Sequence, residues 1–327
     1  MRDKRAVDFR IDFRFVPVRN DDGTTTVYSI PDPNRYERVN RRGRWYLKDR
    51  YAHLLLDEER VMESVAEALT KLPMRYEPAA IGDQTAWVNG REDAIRSQLN
   101  GEGQPSAIGS VSHEDLIAGL DVDRAFAIAT VSIHNLVGLS SMLNERLAAL
   151  NATLAHELAL AAHLHRGSLW RASAGTYSFF FPAPNLITKL DLALGFATTA
   201  RDLLRLVNVT LAETSLPTIA AGIGVEAGTA LAHLAGLTEH HTEVGLAGLV
   251  VAAAEELGNH APADAVWIGP KGADICHISW RRLMEAVEPQ PEIDIPGPVE
   301  SRGTIYRLSA DAHGTNPLID ETDDPQL

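Results

Sequence analysis

The stretch from Phe126 to Ser140 constrains the fold of this chain more than any other segment. Residues 126–133 form the apolar run Phe-Ala-Ile-Ala-Thr-Val-Ser-Ile, which is followed by His134, Asn135 and then Leu-Val-Gly-Leu-Ser. Apolar runs of this length with several β-branched residues are typical of buried strands. The sequence therefore predicts a buried strand that ends in a polar residue and leads directly into a helix.

The composition indicates a soluble, cytoplasmic protein of two domains. The 327 residues can bury a sizeable core, and the single cysteine, Cys276, suits a reducing compartment. No apolar run approaches the ~20 residues that a membrane span needs, and the charged start at residues 1–6 lacks a signal-peptide core. The net charge of −14 argues against nucleic acid as a partner of the chain as a whole, because phosphate would be repelled.

Patterns in the first hundred residues predict a small α+β domain. Residues 7–18 alternate between apolar and charged types, a turn sequence follows at 20–23, and residues 24–30 predict a returning strand, so a β-hairpin is expected. A helix is expected at 56–72, because Pro73 stops it. Glycine, proline and small polar residues then concentrate in the segment that follows. We therefore predict an N-terminal domain at 1–99 and a linker at 100–116.

Residues 117–287 predict a second domain of mixed helices and strands. The expected strands are 124–133, 168–172, 177–181, 218–227, 229–234 and 265–268, and the expected helices are 139–165, 187–212 and 245–257. This order predicts an α+β domain with a ferredoxin-like core. The Pro-rich, acidic segment 288–327 is expected to be partly disordered, apart from one edge strand at 303–308.

Four segments of the second domain resemble the class III nucleotidyl cyclase homology domain, the family of the adenylate and guanylate cyclases. Asn135-Leu-Val-Gly-Leu-Ser140 resembles the family's Asp-Ile-Val-Gly-Phe-Thr, and Gly175-Thr176 stands where the family carries Gly-Asp. Gly222-Ile-Gly-Val-Glu-Ala-Gly228 is similar to the family's Gly-Ile-His-x-Gly strand and turn. Thr242-Glu-Val-Gly245, followed by an Ala-rich helix, resembles its Gly-x-x-Val-Asn-x-Ala-x-Arg segment. The resemblance covers residues 124–270 and implies the palm-type fold of the cyclases.

The resemblance also implies where catalytic metal would be held, and the expected acids are missing there. Cyclases use two Asp residues to hold two divalent metal ions beside a nucleoside triphosphate, and hard cations such as Mg²⁺ prefer carboxylates. This chain has Asn135 and Thr176 at the two positions, and neither an amide nor a hydroxyl neutralises the charge of a cation. We therefore interpret Asn135 and Thr176 as degenerate metal positions, and we expect neither a metal cofactor nor catalytic residues.

The other polar positions of the family's site are missing as well. The stretch that matches the family's Asn and Arg is 246–254, which is entirely apolar, and Arg171 is the nearest counterpart of its base-reading Lys, out of register. The resemblance thus implies a pseudo-enzyme: a regulatory, sensor or scaffold subunit of bacterial nucleotide signalling or antiviral defence. Because cyclases build their sites across dimers, it also implies a homodimer or a paired subunit, with a nucleotide as a candidate ligand.

An active nucleotidyl cyclase is an alternative at this stage. It would need Mg²⁺ or Mn²⁺ held by acids from elsewhere in the chain, and the acids nearest the core strands are Asp121, Asp123 and Glu226. The predicted strand directions place all three away from Asn135, which disfavours this function.

A second alternative is an RNA- or nucleotide-binding module that works through the basic, aromatic segment Arg35–Arg50. Arg41, Arg42 and Arg44 would contact phosphate, since arginine pairs with phosphate and stacks on bases. The simpler interpretation of this segment is a solvated hairpin whose Trp45 and Tyr46 pack inward.

Three histidines, His156, His163 and His165, fall near the end of one predicted helix. His156 and His163 are seven residues apart, whereas helical metal-binding histidines usually stand three or four apart. We therefore expect solvated or helix-capping histidines here and no metal site.

Overall fold

The structure is a computed structural model that describes residues 12–19, 25–52, 54–63, 83–102, 123–143, 146–173, 175–181, 186–238, 241–293 and 303–309. The chain forms two compact units, residues 1–78 and 79–327, and each is described by itself. Among the described residues, no helix combines the length and the apolar character that crossing a bilayer requires.

The smaller unit contains two antiparallel sheets. Strands β1 (Phe13–Arg19) and β2 (Thr25–Pro31) form the predicted hairpin, with Phe13 opposite Pro31. Strands β3 (Tyr36–Arg41), β4 (Arg44–Asp49) and β5 (Leu55–Asp57) form a three-stranded sheet in that order. Residues 58–63 are helical and belong to the helix predicted at 56–72, whose remainder lies outside the described residues.

Arg35 belongs to the interior of the smaller unit. Its side chain is 2% exposed and donates to two carboxylates, to Asp12 (Nη1–Oδ2, 3.1 Å) and to Asp49 (Nε–Oδ2, 2.8 Å). The neighbouring Tyr36 packs with Leu47 and Val61 in the core of this unit. Burying one charge with two opposite partners is tolerable only because each group is paired. Arg35 is therefore a structural residue rather than part of a binding surface.

The larger unit is built on one eight-stranded sheet. The strands are β6 (Asp123–Ile133), β7 (Ser168–Ser173), β8 (Thr176–Phe181), β9 (Ala221–Thr238), β10 (His241–Ala247), β11 (Val266–Ile268), β12 (Met284–Ala286) and β13 (Tyr306–Leu308). They lie in the order β12-β13-β11-β9-β6-β8-β7, and β10 pairs with the second half of β9. Every pairing is antiparallel except that of β9 with β11.

Eight helices accompany this sheet within the described part of the larger unit. They are α1 (Gln84–Asn89), α2 (Glu92–Leu99), α3 (Leu136–Leu143), α4 (Arg146–Leu164), α5 (Leu186–Glu213), α6 (Leu249–His260), α7 (Pro270–Ile275) and α8 (Ile278–Arg282). Alternate residues of β6 serve two different cores. Ala127, Ala129 and Val131 pack with α4 and α5, whereas Phe126 and Ile128 pack with α6. The sheet is therefore covered by helices on both faces, which explains why β6 reads as a continuous apolar run.

The predicted α+β, palm-type architecture is confirmed, with differences in individual elements. The helix expected at 139–165 is divided into α3 and α4, and the helix expected at 245–257 begins at Leu249 and runs on to His260. The two strands expected on either side of Gly228 are one strand, β9, because Gly228 continues the ladder opposite Phe126. The strand expected at the sheet edge, β13, lies between β11 and β12, so part of the segment 288–327 belongs to the sheet.

The division between the units differs from the predicted linker at 100–116. Helices α1 and α2, which were expected in an N-terminal domain ending at residue 99, pack against the larger unit. Arg91 donates to both carboxylate oxygens of the buried Glu157 on α4 (2.8 and 2.9 Å), and Gln84 donates to Asp202 on α5 (2.8 Å). Most of the predicted linker, residues 103–116, lies outside the described residues.

Glycines let α6 lie directly on the sheet. A Cβ atom added at Gly224 of β9 would overlap the Ala254 carbonyl oxygen and the Gly258 amide nitrogen of α6. A Cβ atom at Gly258 would in turn approach the Thr130 carbonyl oxygen of β6 to 2.9 Å. Backbone therefore meets backbone at this contact, and larger residues would push the helix away from the sheet.

Gly224→Ala is expected to destabilise the protein by about 1–3 kcal/mol or more, because overpacking against rigid backbone is costly. The matched control is Gly138→Ala on α3, where an added Cβ meets no atom within 4 Å. That variant is expected to be neutral or to stabilise by up to about 1 kcal/mol, as alanine favours the helix. Urea unfolding of both variants measures the difference, and equal stabilities would contradict the packing described.

Candidate functional site

Asn135 lies immediately after β6, and both polar groups of its side chain are bound to the backbone that enters β9. Its Nδ2 donates to the Thr218 carbonyl oxygen (2.9 Å), and its Oδ1 accepts from the Ala220 amide (3.0 Å). The backbone continues the same connection, since His134 N donates to the Ala220 carbonyl (2.8 Å). The side chain thus ties the end of one strand to the approach of its neighbour.

This geometry suits an amide and does not suit a carboxylate. An asparagine side chain carries an NH2 donor and a carbonyl acceptor, and the backbone here presents a carbonyl to the one and an amide to the other. An ionised aspartate in the same position would set a negative oxygen against the Thr218 carbonyl. These two backbone contacts therefore account for an asparagine at position 135, and sequence reasoning did not reveal them.

Thr176 begins β8 directly after a tight turn beside the end of β6. Gly175 has a φ of 79°, in the left-handed region that favours glycine, and its carbonyl accepts from Ile133 N (2.7 Å). Thr176 is paired with Ser132 of β6 and with Ser173 of β7. The structure therefore brings the two degenerate positions, Asn135 and Thr176, to the same end of neighbouring strands.

The residues at this end of the sheet do not fit a divalent metal ion. Asn135 has both polar groups in backbone hydrogen bonds, and neither it nor Thr176 supplies a negative charge. No group of three or more histidine, cysteine or acidic side chains with metal-binding geometry occurs among the residues that the structure describes. Mg²⁺ binds through carboxylates in proteins, so the donor set here lacks the chemistry that the ion requires.

The segment expected to be apolar on α6 is buried, but the same helix carries polar residues further along. Val250, Val251 and Ala254 pack against the sheet, whereas Glu255, Glu256 and the residues up to His260 lie in the second half of the helix. Glu255 and Glu256 were missed as site residues because the stretch matched to the family's Asn and Arg ended at Ala254. Their charge is acidic, which is opposite to the sign that a triphosphate requires.

Arg171 lies on β7 and is bound by one of these acids. Its guanidinium donates to Glu255 of α6 and lies 5.4 Å from the centre of the Trp170 ring. In the family the residue at this part of the site is a Lys that reads the base. Here the cation is paired with a carboxylate of the same chain, which offsets its positive charge.

Glu226, the acid of β9 that was considered as a substitute metal ligand, is used elsewhere. It is buried, and its Oε1 accepts from the backbone amides of Gly272 (2.7 Å) and Ala227 (2.8 Å), at the start of α7 and on β9. Burial raises the pKa of Glu226 to about 7, although the amides and Lys271 favour the ionised form. It pairs with Ile128 in the ladder, well before the end of β6. Asp121 lies outside the described residues.

The histidines expected to be solvated near the end of α4 are packed in the protein instead. His156 is buried and contacts Glu157 (Nδ1–Oε1, 3.0 Å), and the Nδ1 of His163 is enclosed. His165 is within 3.0 Å of the Thr199 hydroxyl, and burial lowers its pKa to about 4. The expectation of no metal site at these residues is unchanged, but their role is packing rather than solvation.

The arginines of the Arg35–Arg50 segment have different environments. Arg35 is buried, whereas Arg41, Arg42 and Arg44 are exposed at the tip of the β3–β4 hairpin. Trp45 was expected to pack inward and instead is 44% exposed, with the Arg38 guanidinium 4.2 Å from its ring centre. Arg41, Arg42 and Arg44 thus belong to the smaller unit, and Arg171 belongs to the larger one.

Solved structures of class III cyclases share the fold of the larger unit. The adenylyl cyclase CyaB from P. aeruginosa matches with a TM-score of 0.50 and 15% identity, over 57% of this chain and 94% of that chain. The guanylate cyclase domain of RhGC from Catenaria anguillulae, in complex with GTP, gives 0.48 and 16%, over 57% and 97%. A non-canonical dimeric guanylyl cyclase domain from Blastocladiella emersonii gives 0.45 and 14%, over 57% and 97%.

No protein-family model matches the sequence, and no curated protein matches it. The likeness to CyaB, at 15% identity, shows the fold alone: the larger unit has the palm-type fold of the class III nucleotidyl cyclase domain. The predicted resemblance to that domain is confirmed as a likeness of fold.

The buried Glu226 predicts a specific pH dependence of stability. A carboxyl whose pKa is raised on folding binds its proton more tightly in the folded state, so its contribution is complete below the unfolded pKa of 4.5 and is lost as the pH rises to about 7. Urea unfolding at about pH 5 and about pH 8 is expected to show a larger loss for the wild type than for Glu226→Gln. An exposed control, Glu102→Gln, should behave as the wild type, and identical losses in all three proteins would contradict the assignment.

Proposed function

We propose that this chain is a non-catalytic, cyclase-like regulatory, sensor or scaffold subunit of nucleotide signalling or defence. The observation that carries the proposal is the pair of hydrogen bonds that the Asn135 side chain forms with the backbone of Thr218 and Ala220, one donated and one accepted. The side chain at the position that would hold metal in a cyclase is therefore bound here to the protein's own backbone.

The electrostatics of the surrounding residues support the same proposal. Cyclisation needs positive charge beside the triphosphate, from metal ions or from cationic side chains. Arg171 is bound to Glu255, and the second half of α6 adds Glu256. With Arg171 paired and Glu256 nearby on the same helix, these side chains supply no net positive charge to stabilise the transition state. The buried sheet and helices nevertheless have the cyclase fold.

Self-association is part of the proposal. Val137, in the first turn of α3 directly after Asn135, is an apolar side chain that is 85% exposed. An apolar side chain with this exposure beside the end of β6 is a candidate contact for a partner. Since cyclase domains build their sites across dimers, a second copy or a related subunit is the partner that we propose for this surface.

The catalytic alternative is tested by incubating the protein with ATP, GTP, CTP and UTP and Mn²⁺, with mass detection of cyclic mononucleotides. We expect no product from the wild type, and none from Asn135→Asp/Thr176→Asp, because the new carboxylate at 135 faces the Thr218 carbonyl. An active class III cyclase serves as the positive control. A cyclic product that wild type forms and Asn135→Ala loses would show catalysis and overturn the proposal.

The proposed association is tested by sedimentation velocity of the wild type and of Val137→Glu. We expect a dimer whose dissociation constant rises at least tenfold in the variant, because a charge is buried in the interface (~1.4 kcal/mol per tenfold). Val209→Glu, on α5, introduces the same change at a site that is 54% exposed and should leave the dimer intact. A monomeric wild type, or equal effects of both variants, would contradict this surface.

A further inference from the structure

The tip of the β3–β4 hairpin carries three arginines within the four residues 41–44. Arg41 and Arg44 are directly opposite each other in the ladder and are joined by the two-residue turn Arg42-Gly43. Both turn residues have positive φ, 52° for Arg42 and 80° for Gly43, as a tight hairpin turn of this kind requires. The backbone therefore holds three guanidinium groups at one end of a narrow, ordered ribbon.

In the described part of the chain, these three arginines differ from Arg35 and Arg38 in forming no ion pair. Arg35 is bound by Asp12 and Asp49, and Arg38 by Glu58. Among the described residues, none forms an ion pair with Arg41, Arg42 or Arg44, and all three are exposed. Like charges directly opposite one another destabilise a hairpin, so the cluster costs stability in a chain whose net charge is −14. A bound anion would remove that repulsion.

A cleft beside the charged tip contains one aromatic side chain, Trp45. It has a volume of about 280 Å³, and it is lined by Arg38, Gly43, Arg44, Trp45, Met62 and the acids Asp57, Glu58 and Glu59. Trp45 is one residue from Arg44 along β4, and Arg38 stacks on its ring. Successive side chains of a strand point to opposite faces, so the pair Arg41 and Arg44 and the side chain of Trp45 lie on the two faces of the ribbon. A ligand that contacts both must therefore pass around the tip, where Arg42 and Gly43 form the turn.

We infer that this surface binds single-stranded nucleic acid. The phosphates lie on Arg41, Arg42 and Arg44, and one base enters the cleft beside Trp45, where carboxylates accept hydrogen bonds from its amino groups. Backbone phosphates satisfy the unpaired arginines, and aromatic stacking accounts for an exposed tryptophan next to them. An acidic peptide would also satisfy the arginines, but its carboxylate side chains offer no ring that stacks on Trp45. This inference goes beyond the proposed function and is independent of it.

The test is fluorescence anisotropy of the full chain with a labelled oligouridylate of about 12 nucleotides, and with the matching oligodeoxythymidylate. We expect binding that weakens with salt between about 50 and 200 mM, with a log–log slope of about −0.7 for each phosphate contact. Arg41→Gln and Arg44→Gln are expected to weaken binding about fivefold or more each and to make the salt slope shallower. Arg42→Asn, which keeps the left-handed turn, should act in the same direction.

Two further variants separate stacking from charge. Trp45→Leu is expected to weaken binding by about tenfold and to leave the salt slope unchanged, because stacking releases no counterions. Arg282→Gln, an exposed arginine of the larger unit, removes the same charge elsewhere and should leave binding unchanged. The inference is overturned if the wild type does not bind, if Arg282→Gln weakens binding as much as Arg44→Gln, or if polyglutamate of equal length competes as well as the unlabelled oligonucleotide.

Discussion

The side-chain amide of Asn135 joins the end of β6 to the first residues that lead into β9. The two strands are the central pair of the sheet, and this bridge fixes the point at which β9 enters it. Donor and acceptor are both needed, which an amide supplies and an ionised carboxylate does not. The Asn135 side chain therefore stabilises the junction of β6 and β9 and brings no negative charge to the end of the sheet.

The other polar groups considered as site residues are paired within the chain, and the hydrophobic frame around them is close-packed. Close glycine contacts seat α6 on β9 and β6, and two apolar cores cover both faces of the sheet. Arg171 is paired with Glu255, and Glu226 with the backbone around α7. Folding and packing constrain the apolar residues and the glycines, whereas nothing in this fold requires metal-binding carboxylates.

The sequence was sufficient to predict the sheet and its helices because the apolar periodicity of β6, α4 and α5 is strong. It was also sufficient to locate Asn135 and Thr176 at the same end of neighbouring strands. It could not show that the Asn135 amide binds Thr218 and Ala220, because that contact joins residues more than eighty positions apart. Nor could it show that α1 and α2 pack on the larger unit through Arg91 and Glu157, or that β13, expected at an edge of the sheet, lies between β11 and β12. Each of these features depends on long-range pairing rather than on local pattern.

Direct titration with Mn²⁺ tests whether the end of β6 binds a divalent cation. Electron paramagnetic resonance of free Mn²⁺ in the presence of the wild-type protein and of Asn135→Ala measures binding without any need for turnover. We expect that neither protein takes up Mn²⁺ stoichiometrically and that the two titration curves coincide. A stoichiometric site in the wild type that disappears in Asn135→Ala would show that Asn135 holds metal and would contradict its assignment as a backbone-binding residue.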